Sequence, residues 1–403
     1  MQKVDAYLAE IAASIAPLTP YELSLADAEG GVLAAAVTAT GPLPPFDNSA
    51  MDGYAVRAAD IADAVPGAPV TLPVTGEVAA GDTGDHEVAP GTCLRIMTGA
   101  PLPSGADAVV QVELTDGGTR QVAIREAVPV GASVRRTGGD VAPGDLLLPA
   151  GAALGPVELG LLAATGHGSV LARPRPRVAV LSTGNELAEP GTPLTRGQIW
   201  ESNGVMLAAA ARAAGAVAYR PPVVPDDKVK VLAAIEEQLD RADLLLTSGG
   251  VSMGGEHDVV EAALQELGEV RFRKIAMQPG MPQGFGLLGA GRTPILTLPG
   301  NPVSAYVSFQ LFGRAALRAL QCATAPGPHR TRARLTGPVR SPAGKRSYLR
   351  GRLLPGGTSV SPLSGQASHQ LATLARANVL IIVPEPVTVL HEGDLADVMF
   401  LHD

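Results

Sequence analysis

Apolar residues recur at helical spacing through Val4, Leu8, Ile11 and Ile15, and the pattern stops at Pro17 and Pro20. It predicts a short amphipathic helix over 4–15. Pro42, Pro44 and Pro45 then force extended chain. From Pro69 to about Ala150, short Val-rich runs such as VTLPV and DAVVQVEL alternate with Gly-Asp, Pro-Gly and Asp-Gly-Gly, the pattern of small β domains. Pro156 suits a first helical position, so a helix is expected from there through Ala164. Arg-Pro-Arg-Pro-Arg over 173–177 reads as a stiff linker.

Beyond the linker the periodicity changes. Strands are predicted at Val178–Leu181, Ala216–Val224, Leu244–Thr247, Val270–Met277 and Pro294–Leu298. Between them fall helices from Gly204 to Ala214 (closed by Gly215), from Asp226 to about Arg241, and from Asp258 to Leu267 (closed by Gly268). A last helix runs from Pro302 to about Leu320. Strands alternating with helices of this length imply βαβ units and a doubly wound, mainly parallel sheet, whose right-handed crossovers put the strand-end loops on one rim. After Pro326 and Pro328 the runs RARLTG, SYLRGRLL, TSVSPL and NVLIIV predict a C-terminal β domain.

The chain has 403 residues, too many for one hydrophobic core. With 46% hydrophobic and 17% charged residues it is neither disordered nor a coiled coil. Its 47 glycines and 35 prolines mean many turns. A net charge of −8 argues against a broad cationic face for nucleic acid or anionic lipid. The two cysteines, Cys93 and Cys322, have no metal or disulfide spacing, which fits a reducing compartment. No run reaches the roughly 18 apolar residues of a membrane span, and Asp5 and Glu10 stand where a signal peptide would be apolar. A cytoplasmic protein is expected.

Three predicted strands end in loops of unusual composition: STGNEL (182–187), SGGVSMGG (248–255) and PGNPVS (299–304). Glycine lets backbone N–H groups approach an anion, and Ser and Thr add hydroxyl donors. Gly184, Ser248, Gly249, Gly250, Ser252, Gly300 and Asn301 are therefore candidate contacts to a phosphate-bearing ligand. Each loop alone is equally a tight strand-to-helix turn; three on one rim favour a pocket. The middle loop lacks a Walker lysine and G-x-G-x-x-G spacing, which disfavours a P-loop NTPase or an NAD site.

Glu186, Asp226 and Asp258 cluster around the same rim, and hard oxygen ligands beside phosphate suggest Mg²⁺. Asp226 and Asp258 are equally ordinary helix caps, whereas no cap explains Glu186. Lys274, in the strand leading to QPGMP, could meet an anion or serve as an edge-strand charge. Lys345, Arg346 and Arg350 could do the same or be surface charges. In the N-terminal half, Asp47 and Asp52 in FDNSAMDGYA carry more acid than a turn needs.

In this order, FDNSAMDGYAV (46–56), MTGAPLPSGADAVV (97–110), GGD (138–140), STGNEL (182–187), SGGVSMG (248–254), PGMPQGFG (279–286) and LPGNPVSA (298–305) resemble the molybdopterin molybdotransferase family, the MoeA proteins and the E domain of gephyrin. The resemblance spans essentially the whole chain. It implies a transferase that binds adenylylated molybdopterin, inserts molybdenum from molybdate, and hydrolyses the pyrophosphate with Mg²⁺-dependent release of AMP. It also implies a homodimer whose site lies between the α/β domain of one subunit and the N-terminal domains of the other. By motif position Asp52, Thr98, Asp140, Glu186, Asp226, Asp258 and Lys274 match functional residues, with Glu186, Asp226 and Asp258 toward the metal. Pro282, Ser304, Arg346 and Ser368 match the molybdate region. Many relatives have Lys where this chain has Gln278 and Met281.

The expected fold is multidomain α/β plus β. A mixed linker domain takes 1–45 and 141–172, a β-rich domain 46–140, an α/β molybdopterin-binding domain 173–323, and a small β-barrel-like domain 324–403. The aromatic poverty of the chain, six Phe, six Tyr and one Trp, implies a pterin pocket built on backbone and polar contacts with little ring stacking. Two alternatives from other classes are a non-catalytic molybdopterin-binding scaffold, disfavoured by the retained acids, and a molybdopterin adenylyltransferase, disfavoured by the N-terminal motifs.

Overall fold

A computed structural model describes residues 1–249, 259–324 and 327–401. The chain forms two compact units, one from Met1–Ala35, Ala150–Gly155 and Ser169–Asp403, the other from Ala36–Pro149 and Pro156–Gly168. Among the described residues no helix is long and apolar enough to cross a membrane.

The second unit is β-rich. Its five-stranded sheet runs in the order Ala108–Gln111, Gly53–Val56, Cys93–Ile96, Val70–Val78, Gln121–Ile124. Tyr54, Val56, Ile61, Val110, Val122 and Ile124 form its core. The expected helix is present as Pro156–Ala164. Gly53 lies where the neighbouring backbone leaves no room, since a Cβ there would come within 2.0 Å of the Val110 carbonyl oxygen. Gly53→Ala is therefore expected to destabilise this unit by about 3 kcal/mol. Hydrogen exchange at the Tyr54–Val56 amides measures it, and unchanged protection would contradict the packing described.

The first unit carries the α/β sheet. Its strands and helices are β1 (Arg177–Ser182), α1 (Asn203–Ala213), β2 (Val217–Tyr219), α2 (Lys228–Leu239), β3 (Leu244–Ser248), α3 (Val259–Leu267), β4 (Gly268–Lys274), β5 (Pro282–Leu288), β6 (Thr293–Leu298) and α4 (Pro302–Ser308). The spatial order is β2-β1-β3-β6-β5-β4. The first four strands are mutually parallel, β5 runs antiparallel to β6, and β4 antiparallel to β5. Period-2 alternation sorts the two faces: Val178, Val180, Leu244, Leu246 and Leu296 join one core, and Ala179, Leu181, Leu245 and Ile295 the other. The N-terminal helix Val4–Ser14 packs on the first face, burying Val4 and Ile11 for about 2 kcal/mol each. There Tyr7 meets Phe312 edge-on at 4.8 Å.

Several boundaries differ from expectation for identifiable reasons. The strand expected over 216–224 ends at Tyr219 because Pro221 and Pro222 stop the ladder. Gly268 begins β4 and does not cap the preceding helix, and a Cβ on it would strike the Leu287 carbonyl at 2.3 Å. The strand expected over 270–277 is split into Gly268–Lys274 and Met277–Gln278. β5 was not expected, because its glycines oppose strand propensity. They are needed for clearance: a Cβ on Gly284 would lie 1.9 Å from Thr297 Oγ1, and one on Gly286 2.3 Å from the Glu269 carbonyl. The long last helix is interrupted by a π segment at Phe309–Gly313, where the Phe309 ring lies against Gly313.

At the C-terminus β7 (Arg330–Leu335), β8 (Arg346–Leu353), β9 (Ser359–Pro362), β10 (Val379–Val383) and β11 (Leu395–Phe400) close into a barrel, since β10 pairs with both β11 and β8. β11 went unforeseen. It is the strand that removes the open edge.

Candidate functional site

The register of the parallel strands levels the three glycine-bearing loops. Ser182 at the end of β1 sits opposite Ser248 at the end of β3, and Ser248 sits opposite Leu298 at the end of β6. The loops therefore leave the sheet side by side on the rim where α/β folds bind ligands. Gly249 takes φ +96, and its N–H donates to the Leu298 carbonyl at 3.1 Å. A side chain there would be strained. Asn203, at the start of α1, donates from Nδ2 to Ser248 Oγ and to the Gly300 carbonyl, both at 2.7 Å, tying the second loop to the third. Gly250, Ser252 and Asp258 lie outside the described residues.

Glu201 anchors the first loop from below. It is 1% exposed and accepts from Ser182 Oγ at 3.1 Å, the Gly204 N–H at 2.5 Å and Arg220 at 3.4 Å. Asn203 did not stand out in the sequence, and Glu201 did so only as standing where the family commonly has Asp before Ser-Asn. The only signal was Glu-Ser-Asn ahead of an Ala-rich helix.

Glu186 projects from the first loop and is exposed. Asp226 is not the cap of α2; Asp227 is, accepting from the Lys230 N–H at 3.0 Å. Asp226 instead exchanges hydrogen bonds with Asn185: the Asn185 N–H donates to its carboxylate at 3.2 Å, and its own N–H donates to Asn185 Oδ1 at 3.1 Å. Val224 bonds the backbones of Ser182 and Gly184 at 3.0 and 3.1 Å. One knitted surface thus carries both Glu186 and Asp226. Among the described residues no group of three metal-binding side chains occurs. Two carboxylates on one surface are nevertheless of the kind Mg²⁺ takes, because it keeps several waters and needs only one or two protein carboxylates.

The third loop also borders a cavity of about 450 Å³, lined among others by Gln278, Met281, Pro282, Ser304, Lys345 and Ser368. Asn301 lines it too, so one loop serves both the rim and the cavity. The Val303 N–H donates to the Ser368 carbonyl at 3.0 Å and holds that wall. Lys345 is the one charged side chain among the described lining residues, in a wall otherwise of amides, hydroxyls and apolar groups. Such a lining offers one cation and several hydrogen-bond donors to a bound group.

Arg346, the sequence candidate, does not line this cavity. Its guanidinium pairs with Asp5 at 2.7 Å through two bonds and with Glu385 at 3.0 Å. Arg350 behaves differently. It is 1% exposed and donates to the Gly365 carbonyl at 2.7 Å, with its Nε buried and unpartnered. Burial pushes its pKa down. Its backbone exchanges two bonds with the side chain of Gln366, a cavity-lining residue, so a buried cation that has no carboxylate partner among the described residues is tied to the wall through its own backbone. Lys274 ends β4 opposite Pro282, and its carbonyl accepts from the Gln2 N–H at 3.0 Å. A roomier cavity of about 530 Å³, bordered by Glu10, Glu269, Arg271 and Arg292, contains none of the candidate residues.

In the second unit Asp52 accepts from the Thr98 N–H at 2.7 Å and from Thr98 Oγ1 at 2.8 Å. These bonds, the backbone one foremost, hold its pKa below the ordinary carboxylate value. Asp47 repeats the arrangement with Thr137 and Arg136. Asp140 is exposed, and its N–H donates to the Leu43 carbonyl at 3.0 Å. Because the folded pKa of Asp52 is depressed, its bonds stabilise the fold above the unfolded pKa, and that contribution is lost as pH falls through the folded value. Thr98→Ala keeps the N–H and removes the hydroxyl, so the Asp52 titration should move up toward the ordinary range. Carboxyl-carbon NMR would read it, and an unmoved midpoint would contradict the assignment.

Comparison with known proteins gives a consistent match. Residues 2–166 fit the model for the MoeA N-terminal region (domains I and II), 179–319 a probable molybdopterin binding domain, and 332–401 the MoeA C-terminal region (domain IV). The chain is 46% identical over 400 residues to molybdopterin molybdenumtransferase 2 of Mycobacterium tuberculosis, covering 98% of each chain. It is 39% identical over 423 residues to molybdopterin molybdenumtransferase 1 of the same organism, covering 100% of this chain and 99% of that one. A crystal structure of the molybdopterin biosynthesis MoeA protein from Pyrococcus horikoshii aligns over 100% of both chains with TM-score 0.78 and 32% identity.

Proposed function

The chain belongs to the MoeA family of molybdopterin molybdenumtransferases, and from that premise we propose that adenylylated molybdopterin lies across the three-loop rim while molybdate enters the adjoining cavity. The protein is a transferase that inserts molybdenum in the biosynthesis of the molybdenum cofactor. The observation that carries the arrangement is the shared third loop, whose Gly300 carbonyl is fixed at the rim and whose Asn301 and Ser304 line the cavity. A substrate with its phosphates on the rim thereby presents its other end to an anion site.

The Ser248 and Ser252 hydroxyls and the backbone N–H groups of Gly250 and Gly300 serve as phosphate donors in this reading, Gly184 and Gly249, whose own N–H groups bond Val224 and Leu298, leave the phosphates room, and Lys274 holds an oxyanion. Ser304, Ser368, Pro282 and Lys345 surround molybdate, and the buried Arg350, held to the lining residue Gln366, adds positive potential from outside the lining; together they stand in for the lysines that many relatives carry at 278 and 281. Water adds across the P–O–P bond, which breaks to give AMP and the phosphate of the pterin. Glu186, Asp226 and Asp258 would hold Mg²⁺, which when bound neutralises pyrophosphate charge. The protein acts as a homodimer, in which Asp52, Thr98 and Asp140 of a second copy complete the site, Asp52 staying ionised through its bonds to Thr98. The dithiolene substrate and the two non-disulfide cysteines suit the reducing cytoplasm.

The test is reconstitution. Product formed from adenylylated molybdopterin, molybdate and Mg²⁺ should activate an apo-molybdoenzyme in proportion to the amount of this protein. Activation that is equal without the protein would refute the reading.

A further inference from the structure

Trp200 is the chain's one tryptophan, and it is 52% exposed. It lies in the two-residue strand Ile199–Trp200, which runs parallel to Leu187–Ala188 with Ala188 opposite Trp200. The Ile199 N–H donates to the Glu186 carbonyl and the Glu201 N–H to the Ala188 carbonyl, both at 2.8 Å. The strand bearing the indole is thus fastened to the loop that carries Glu186, and on its other side to the buried Glu201. The indole N–H donates to the Thr192 carbonyl at 2.8 Å. That bond satisfies the ring's one polar atom and orients it. Ile199, 56% exposed, turns its side chain to the opposite face of the strand.

Held in orientation and facing solvent, the ring offers a flat apolar face that something planar can cover. Its position indicates what. Two residues of strand rise from Glu186 to Ala188 and one strand spacing across to Trp200 put the two backbones roughly 8 Å apart. That is about the reach from the phosphate to the base of a nucleoside monophosphate. We propose that Trp200 is a stacking platform for the adenine of the substrate's adenylyl group. The inference rests on the adenylylated-substrate reading and concerns the nucleotide end of the substrate, apart from the pterin pocket. Stacking tolerates many planar rings and contributes enough per base to change affinity tenfold or more.

Because there is a single tryptophan, its emission reports this site alone. The full chain titrated with AMP in Mg²⁺ should show saturable quenching whose midpoint does not depend on protein concentration. By equilibrium dialysis, Trp200→Ala should bind AMP at least tenfold more weakly and Trp200→Phe within about threefold of the unaltered protein. In turnover, Trp200→Ala should raise KM for adenylylated molybdopterin by a similar factor and leave kcat nearly unchanged. Equal AMP affinity in Trp200→Ala overturns the proposal, as does emission that follows protein concentration and ignores AMP, which would mean that a second copy covers the ring. Unaltered protein that releases AMP while Trp200→Ala keeps its KM condemns the stacking alone; unaltered protein that never releases AMP condemns the substrate reading beneath it.

Discussion

Glu186→Gln is expected to lower AMP release by about a hundredfold to ten-thousandfold, the range for losing a charged group that acts on the reacting phosphate. The substitution preserves shape and hydrogen-bonding capacity and removes only the charge. Glu186 is exposed and caps no helix, so the midpoint of thermal unfolding should shift little, by less than the equivalent of about 0.5 kcal/mol. Loss of turnover with intact stability separates a functional carboxylate from a structural one. Turnover at the unaltered rate would remove Glu186 from the site, and a large fall in stability would make its role structural.

Arg350→Met should divide stability and function the other way round from an ordinary buried residue. Truncating a buried, paired arginine usually destabilises strongly because its partner is stranded. Arg350 has no carboxylate partner and one buried nitrogen with nothing to bond. Its desolvation is an existing cost, and methionine fills similar space without it. Stability should therefore stay within about 1 kcal/mol of the unaltered protein, in either direction. The molybdate concentration for half-maximal rate should rise about threefold to tenfold, the worth of losing a nearby cation's field without a direct contact. A variant that is strongly destabilised while its molybdate dependence is unchanged would show that Arg350 is there for the barrel. The sharper comparison is Arg346→Met, which breaks pairs with Asp5 and Glu385 and should leave the molybdate dependence alone.

Local pattern carried most of the fold. β1, β3 and β6 were legible because buried parallel strands read as continuous apolar runs, and the loops that follow them because glycine and hydroxyl residues concentrate there. β5 was not, because Gly284 and Gly286 oppose strand propensity and are required only once Thr297 and Glu269 are known to be close. Asp226 and Asp227 are adjacent and equally good caps on paper; the Asn185 contact, 41 residues away in the chain, decides between them. Arg346 looked available because nothing in its neighbourhood predicts a pairing with Asp5, 341 residues distant. Arg350 looked like a surface charge because strand alternation alone does not reveal that the Gly365–Gln366 turn covers it. Glu201 and Asn203 share that difficulty, since each acts on loops far off in sequence. At the site, what escaped was long-range.

The central claim joins the two halves of the site: pyrophosphate cleavage on the rim serves metal insertion in the cavity. Its most direct test is AMP release from adenylylated molybdopterin, followed by chromatography with and without molybdate and with and without Mg²⁺, and compared with the molybdenum content of the pterin product. AMP and molybdenum-loaded pterin appearing in equal amounts, only when the protein, molybdate and Mg²⁺ are all present, is the result predicted. AMP release that proceeds with no molybdenum in the product, or molybdenum entering the pterin with no AMP released, would contradict it.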